Sequence, residues 1–307
     1  LRTIEPVVPE RDDGLLWDIA CPQRPIRVPG VSMAGFGDRG ITPPGLRLIP
    51  HPAVTMILVF DGNIAVEDAT GRRQQGSFVL GPGFGEALRG LSVDAFECLQ
   101  VRLSPVAAQA VFGGVVSELD RAMVPLDTLC GKEAARLSDR LADFSGWGQR
   151  FSWIDGWLAR RCAEATETSP EVAWAWRRIV AGRGAVRIEH LADELGWSRK
   201  RLWSRFQSQF GLPPKRAAKL VRFDHAVHSL VAGHHAARVA ADGGYADQSH
   251  LHRDVVAFTG LTPATVVDEP FLAVDDIAWG WRKNHTRAPD LRHTGRHDDE
   301  HRDSRGR

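Results

Sequence analysis

Two stretches decide how this chain is read: Leu191-Ala-Asp-Glu-Leu-Gly-Trp-Ser-Arg-Lys-Arg-Leu-Trp203 and Val239-Ala-Ala-Asp-Gly-Gly-Tyr-Ala-Asp-Gln-Ser-His-Leu-His-Arg253. Each opens with an apolar residue and Ala, runs through three residues, and reaches Gly and an aromatic. Each then closes alike, Phe210-Gly-Leu-Pro-Pro214 against Thr259-Gly-Leu-Thr-Pro263. One unit is used twice, about 49 residues apart. A repeat of that length is a supersecondary unit, and its local chemistry says which. Leu191 and Leu195 give a first helix an apolar face, small Ala192 admits a neighbouring helix, and Gly196 supplies a sharp turn. Ser198 then caps a second helix, on which Leu202, Phe206 and Phe210 fall at i, i+4 and i+8. In the second copy Leu251, Val255 and Phe258 take the same inward places.

The outward faces differ in kind from the inward ones. The first carries Arg199, Lys200, Trp203, Ser204 and Gln207; the second carries Gln248, Ser249, His252 and Arg253. A helix with one apolar stripe opposite a face of Arg, Lys, Gln and Ser suits a major groove. Charge points the same way. Residues 171–265 carry a net +6, whereas residues 1–170 carry −4 and residues 266–307 carry −1, so the overall +1 hides a basic segment. A polyanionic partner fits that segment.

Across residues 172–266 the sequence resembles the AraC/XylS family of bacterial transcription regulators. The residues carrying the resemblance are Gly244-Tyr-Ala-Asp-Gln-Ser-His-Leu-His-Arg253 with Gly260-Leu-Thr-Pro263, then Gly196-Trp-Ser-Arg-Lys-Arg-Leu-Trp-Ser-Arg-Phe206 with Gly211-Leu-Pro-Pro-Lys215. The resemblance implies two helix-turn-helix units joined by a helix, here Lys215 to Val231, whose second helices enter successive major-groove segments of double-stranded DNA. It places Lys200 and Ser204 at base-reading positions, with Trp203 between them. Gln248 would pair with adenine and Arg253 with guanine, and Ser249 lies beside them on the reading face. Arg199, Arg201, Arg205, Lys215, Arg216 and His252 are assigned to phosphates, which position the protein without specifying sequence. Helix-start amides near Ser198 and Asp247 would hold phosphates too.

Competing readings attach to two of these residues: Trp203 as an aromatic packed between the units, and Arg253 as a salt-bridge partner of Asp242. The sequence departs from the family pattern at Gly243, Val255 and Ala236, each smaller than usual, so the second unit is expected to pack less tightly than the first. The family also implies a companion domain that senses a small molecule or dimerises, and RNA polymerase as a further partner.

Residues 1–103 read as β-rich. Val54-Thr-Met-Ile-Leu-Val-Phe60 precedes Asp61-Gly62, a hairpin-turn pair, and then Ile64-Ala-Val66. Towards Leu103 the pattern alternates, with Leu99, Val101 and Leu103 on one face and Gln100 and Arg102 on the other. Ser104-Pro105 starts helical spacing that continues to residue 168, a segment expected to cover the sheet or to dimerise. The expected class is α+β: a cupin-like barrel or sandwich over 1–103, helices over 104–168, an all-α DNA-binding domain over 171–268, and a polar, disordered tail over 269–307.

Composition removes other classes. At 43% hydrophobic and 25% charged residues, the chain has material for buried cores. No apolar run approaches a membrane span, and no export signal opens the sequence. The four scattered cysteines form no C-x-x-C pair, so a reducing cytoplasm is the expected setting. Within 1–170 the one histidine is His51, read as a turn or strand-edge residue. A cupin metal centre needs several, and a Ser-His-Asp triad would also need a nucleophile elbow that the sequence lacks. No catalytic residue, metal or cofactor is expected. Trp153, Trp157, Trp174 and Trp176 read as helical core. His293, His297 and His301 read as incidental to the tail. A rival reading keeps the ligand-binding half but docks the helical half to protein instead of DNA.

Overall fold

The computed structural model describes residues 17–38, 45–83, 88–91, 95–119, 123–165 and 168–279. The described residues hold ten strands, the last of them after the first helix: β1 (Asp18–Ala20), β2 (Val31–Asp38), β3 (Arg47–Leu48), β4 (Val54–Gly62), β5 (Ala65–Glu67), β6 (Arg73–Gln75), β7 (Phe78–Leu80), β8 (Leu88–Leu91), β9 (Phe96–Leu103) and β10 (Met123–Pro125). They form two antiparallel sheets, ordered β1-β2-β9-β4-β7-β10 and β3-β8-β5-β6.

Strand alternation explains why the larger sheet is apolar on both faces. Ile57 and Val59 of β4 turn toward the smaller sheet, with Phe36, Val66, Phe78, Leu80 and Leu88. Val54, Met56 and Leu58 turn the other way, joining Leu99, Val101 and Leu103 of β9 under the helices that follow. Those helices are α1 (Pro105–Phe112), α2 (Leu126–Cys130), α3 (Glu133–Ala142) and α4 (Trp147–Ala163), with a 3-10 turn over Gly113–Leu119. Ser104 caps α1 as its sequence suggests, its Oγ accepting the Ala107 N–H at 3.2 Å. Trp157 is buried in this core, and Trp153 packs against it half-buried.

The structure corrects the expected Asp61-Gly62 hairpin. Strand β4 runs through both residues and pairs Gly62 with Phe96 of β9, after a bulge between Val59 and Asp61. Gly62 has φ +65°, and a Cβ there would collide with the Ala95 carbonyl. Beyond this corner the chain enters the smaller sheet, so β4 and β5 lie in different sheets.

The C-terminal half is helical: α5 (Pro170–Ala181), α6 (Ile188–Glu194), α7 (Arg199–Phe210), α8 (Pro214–Val231), α9 (Ala236–Asp242) and α10 (Gln248–Thr259). Helices α6 and α7 close one core with α5 and the start of α8, burying Trp176, Leu202, Phe206 and Phe210. Helices α9 and α10 close a second with the rest of α8, burying Phe223, Val227, Leu251, Val255 and Phe258. The expected looseness at Gly243 is compensated. A Cβ there would lie 3.2 Å from the Tyr245 ring, which fills that space and is itself buried.

The tail expected from 269 onward is corrected over 269–279. Helices α11 (Pro270–Ala273) and α12 (Asp275–Ala278) fold back on the β-rich half. Val274, Ala278 and Trp279 join the core between the sheets, and Leu272 joins the core of the second helical unit. Pro270-Phe-Leu-Ala-Val274 and Ile277-Ala-Trp279 supply apolar surface that the polar residues beyond 280 obscure in a coarse reading. His293, His297 and His301 lie outside the described residues. No helix among the described residues is long and apolar enough to cross a membrane.

Candidate nucleic-acid interface

Each helical unit presents its second helix from a side-chain-capped start. Ser198 Oγ accepts the Arg201 N–H at 3.1 Å, and Asp247 Oδ1 accepts the His250 N–H at 2.6 Å. Caps of this kind fix where α7 and α10 begin, and hence which residues lie at the tip. Ser198→Ala and Asp247→Ala should each cost about 1 kcal/mol in denaturant unfolding. A loss under about 0.3 kcal/mol in both would show that tertiary packing alone sets these helix starts.

Turns of one geometry precede both helices, with Gly196 at φ +63° and Gly244 at φ +69°. A side chain at either position would be strained, so the glycines set the angle between the paired helices.

The structure brings the expected reading residues to the surface in two groups. Arg199, Lys200, Arg201, Trp203, Ser204 and Arg205 are exposed on α7. Gln248, Ser249, His252 and Arg253 are exposed on α10. Trp203 is 53% exposed, which removes the alternative in which it packs between the units. Arg253 likewise does not pair with Asp242: its Nε donates to the Ser249 carbonyl at 3.3 Å, while Asp242 takes Arg238 at 3.4 Å. Arg201 lies over the Trp197 ring at 4.5 Å, and Arg199 approaches Glu189 at 3.8 Å. Lys215 is exposed in the first turn of α8. Arg216 is the exception. Its guanidinium donates to the Gly83 carbonyl at 2.9 Å, on the β-rich half, so the phosphate role expected for it is corrected to one of docking.

A second group of polar residues escaped the sequence reading because each sits on a face that should be apolar. Asp254, 2% exposed, holds Lys219 at 3.0 Å and Arg222 at 3.4 Å, tying α10 to α8. Asp224 and His228, one turn apart on α8, are buried with Asp275, and the partly buried His51 joins them. His51 Nδ1 donates to Asp224 at 2.8 Å. His228 Nδ1 lies 2.7 Å from the Asp224 carbonyl and Nε2 lies 2.9 Å from Asp275. Both partners are acceptors, so this geometry favours the doubly protonated ring.

Burial opposes charge throughout this cluster, yet its partners prevail. For Asp275, Arg102, His51 and His228 outweigh desolvation and hold the carboxyl down at about 2. For Asp224, His228, His51 and His225 do the same, and its carboxyl stays below the ordinary range. Desolvation would lower His228, but Asp224 and Asp275 raise it instead. A carboxylate at the i, i+3 or i+7 place of an apolar stripe was the signal available in the sequence: Asp254 beside Leu251 and Val255, Asp224 beside Val221 and Val227. No group of side chains suited to a metal ion occurs among the described residues.

With two capped, exposed helices on a repeated scaffold, the comparison with known families becomes decisive. The helix-turn-helix domain family matches residues 191–268. This segment is an AraC-type helix-turn-helix domain. That domain supports a DNA-binding transcription regulator. No curated protein matches the chain.

Among solved structures, ToxT from Vibrio cholerae O395 is similar at 11% identity and TM-score 0.44, over 79% of this chain and 98% of that one. The C-terminal domain of AraT, a response regulator from Geobacillus stearothermophilus, is similar at 19% identity and TM-score 0.31, over 33% and 87%. The AraC-like transcriptional activator CuxR is similar at 16% identity and TM-score 0.24, over 77% and 90%. The AraC-type match and the geometry of the two units carry the assignment, and likenesses this distant add nothing to it.

Proposed function

We propose that the protein binds DNA sequence-specifically, with α7 and α10 reading neighbouring major-groove segments on one face of the duplex. The observation that supports this reading is the sorting of the two helices. Leu202, Phe206 and Phe210 of α7 and Leu251, Val255 and Phe258 of α10 are buried, while the assigned readers Lys200, Trp203, Ser204, Gln248, Ser249 and Arg253 all remain exposed. Arg199, Arg201, Arg205, Lys215 and His252 surround them and meet phosphates.

Capture of fragmented host genomic DNA by the purified full chain, followed by sequencing, tests the reading. Sharp peaks sharing a motif with two blocks about one helical turn apart are expected. Flat enrichment by folded protein would favour the rival in which the helical half docks to protein. Single substitutions then separate the roles. Arg253→Ala should relax base preference at one position, costing about 1–3 kcal/mol there. Arg205→Ala should weaken binding to all sequences and reduce the salt slope by about one unit. Equal losses on specific and random DNA for both variants would refute the assignment.

The β-rich half supplies regulation in this reading, through a small molecule or through a homodimer formed by the helices of 104–168, with RNA polymerase as the further partner. The space between the two sheets encloses only about 70 Å³. A cleft of about 720 Å³ opens between the halves instead, lined among others by Trp176, Val180 and Val221 and by Arg102, Arg177 and His225. That volume suits a small organic effector.

A further inference from the structure

We infer that Pro270–Trp279 is a clasp, pinned by Asp275, through which the β-rich half fixes the placement of the second helix-turn-helix unit. The segment leaves α10 and grips both halves at once. Phe271 stacks on Trp17 with ring centroids 4.7 Å apart, Trp279 lies 6.3 Å from Phe36, and Leu272 enters the core of the second unit. Asp275 is fully buried where three parts of the chain meet. Its Oδ1 accepts Arg102 of β9 at 2.9 Å, and its Oδ2 accepts His228 of α8 at 2.9 Å. His51, from the loop before β4, stands 3.5 Å away. Arg102 also lies over the Trp279 ring at 4.1 Å, so the clasp holds that cation from two sides.

The remaining contacts show what the clasp controls. Arg47 donates to the Thr259 carbonyl at 3.1 Å, at the end of α10, and Ile49 is buried in the core of the second unit. The recognition faces themselves stay exposed, so the clasp does not block DNA. It sets the position of α10 relative to the β-rich half. A shift of the β-rich half therefore reaches α10 through these two contacts and through the segment that Asp275 pins.

The pin has a pH signature that apolar packing lacks. The groups facing it are Arg102, His51, His228 and, behind His228, Asp224 and His225. His228 is raised above 6.5, so its contribution is complete below that value and fades as pH rises through its folded value. Asp275 is depressed, so its contribution is complete above 3.8 and fades only as pH falls through about 2. The clasp is fully fastened between those limits, in mildly acidic solution, and loosens toward alkaline pH.

Scanning calorimetry of the full chain near pH 6 and near pH 9 tests this directly. Wild type should unfold in one transition, at lower temperature near pH 9. Asp275→Asn keeps the shape but presents an amide N–H to donors, and should split the transition in two and shrink the pH shift. Phe271→Ala should split it while leaving the pH shift in place. One transition with the wild-type pH shift in both variants would overturn the inference.

If Asp275→Asn fails to fold, amide exchange in Phe271→Ala takes its place. Phe271 touches Trp17 of the β-rich half, and its removal leaves the buried ions paired. The variant should speed amide exchange in α10, and exchange identical to wild type would equally overturn the inference. The functional arm rests on the DNA-binding reading: in genomic capture, Asp275→Asn should keep the motif block read by α7 and blur the one read by α10. Flat capture by wild type alongside split calorimetry would sink the DNA reading and leave the clasp intact.

Discussion

Asp254→Ala is expected to destabilise the second helix-turn-helix unit by about 3–5 kcal/mol. The carboxylate is 2% exposed and stands between Lys219 and Arg222 of α8, with His250 at 3.8 Å on its own helix. Removing it leaves Arg222 nearly buried, held over the Tyr245 ring at 4.5 Å with no anion opposite. That uncompensated cation dominates the loss. The Lys219 contact adds less, because its side chain is 38% exposed and water screens it.

The variant should therefore fail in the core of α8, α9 and α10 and spare that of α5, α6 and α7. Denaturant unfolding of the full chain with amide exchange resolved by helix checks both the size and the place. A loss under about 1 kcal/mol, or one spread evenly over both units, would mean that apolar packing alone joins α10 to α8.

How much of this could be read from the chain depends on the range of the interaction involved. The helix starts at Ser198 and Asp247, the turns at Gly196 and Gly244 and the buried stripe through Leu202, Phe206 and Phe210 are local, and periodicity reveals them. Strand β9 was equally legible, since alternation alone sorts Leu99, Val101 and Leu103 from Gln100 and Arg102. The pairing of β4 was not. Asp61-Gly62 has the chemistry of a hairpin turn, and only the long-range pairing of Gly62 with Phe96 makes it a corner between sheets.

The buried polar residues were illegible for a related reason. Asp275 and Arg102 lie 173 positions apart, as do His51 and Asp224, and no local pattern announces such a pair. Arg216 shows the same limit at a single residue. Its place in a basic helix start fits a phosphate contact, and the Gly83 carbonyl that claims it belongs to a remote turn.

Apart from Asp61-Gly62 and Asp254, these misses fall in one place. The local rules describe the helices of the two units and fail where the units meet the β-rich half. Residues there violate their own local pattern: a carboxylate and an imidazole on the apolar face of α8, a histidine after Pro50, an apolar run inside a polar C-terminus. Burying Asp224, His228 and Asp275 is costly unless each is paired, and the geometry pairs all three. Such a cluster specifies one arrangement of the halves more sharply than an apolar seam, which tolerates sliding.

Neighbouring positions on α7 should separate stability from recognition. Phe206 is fully buried against Phe210, with ring centroids 4.9 Å apart, whereas Trp203 is 53% exposed three residues earlier. Phe206→Ala opens a cavity the size of a ring in the core of the first unit and should cost about 3–5 kcal/mol. At that cost DNA binding falls with the folded fraction. Trp203→Ala removes a side chain that is 53% exposed, so unfolding should shift by no more than about 0.5 kcal/mol.

Its effect should appear instead on the captured genomic sites, as a loss of about 1–3 kcal/mol, roughly five- to 150-fold, confined to the block read by α7. Stability and site affinity measured on both variants decide the matter. Should Trp203→Ala lose stability and keep its sites, the exposed face of α7 is not the reading face, and recognition by the first unit must be sought elsewhere on it.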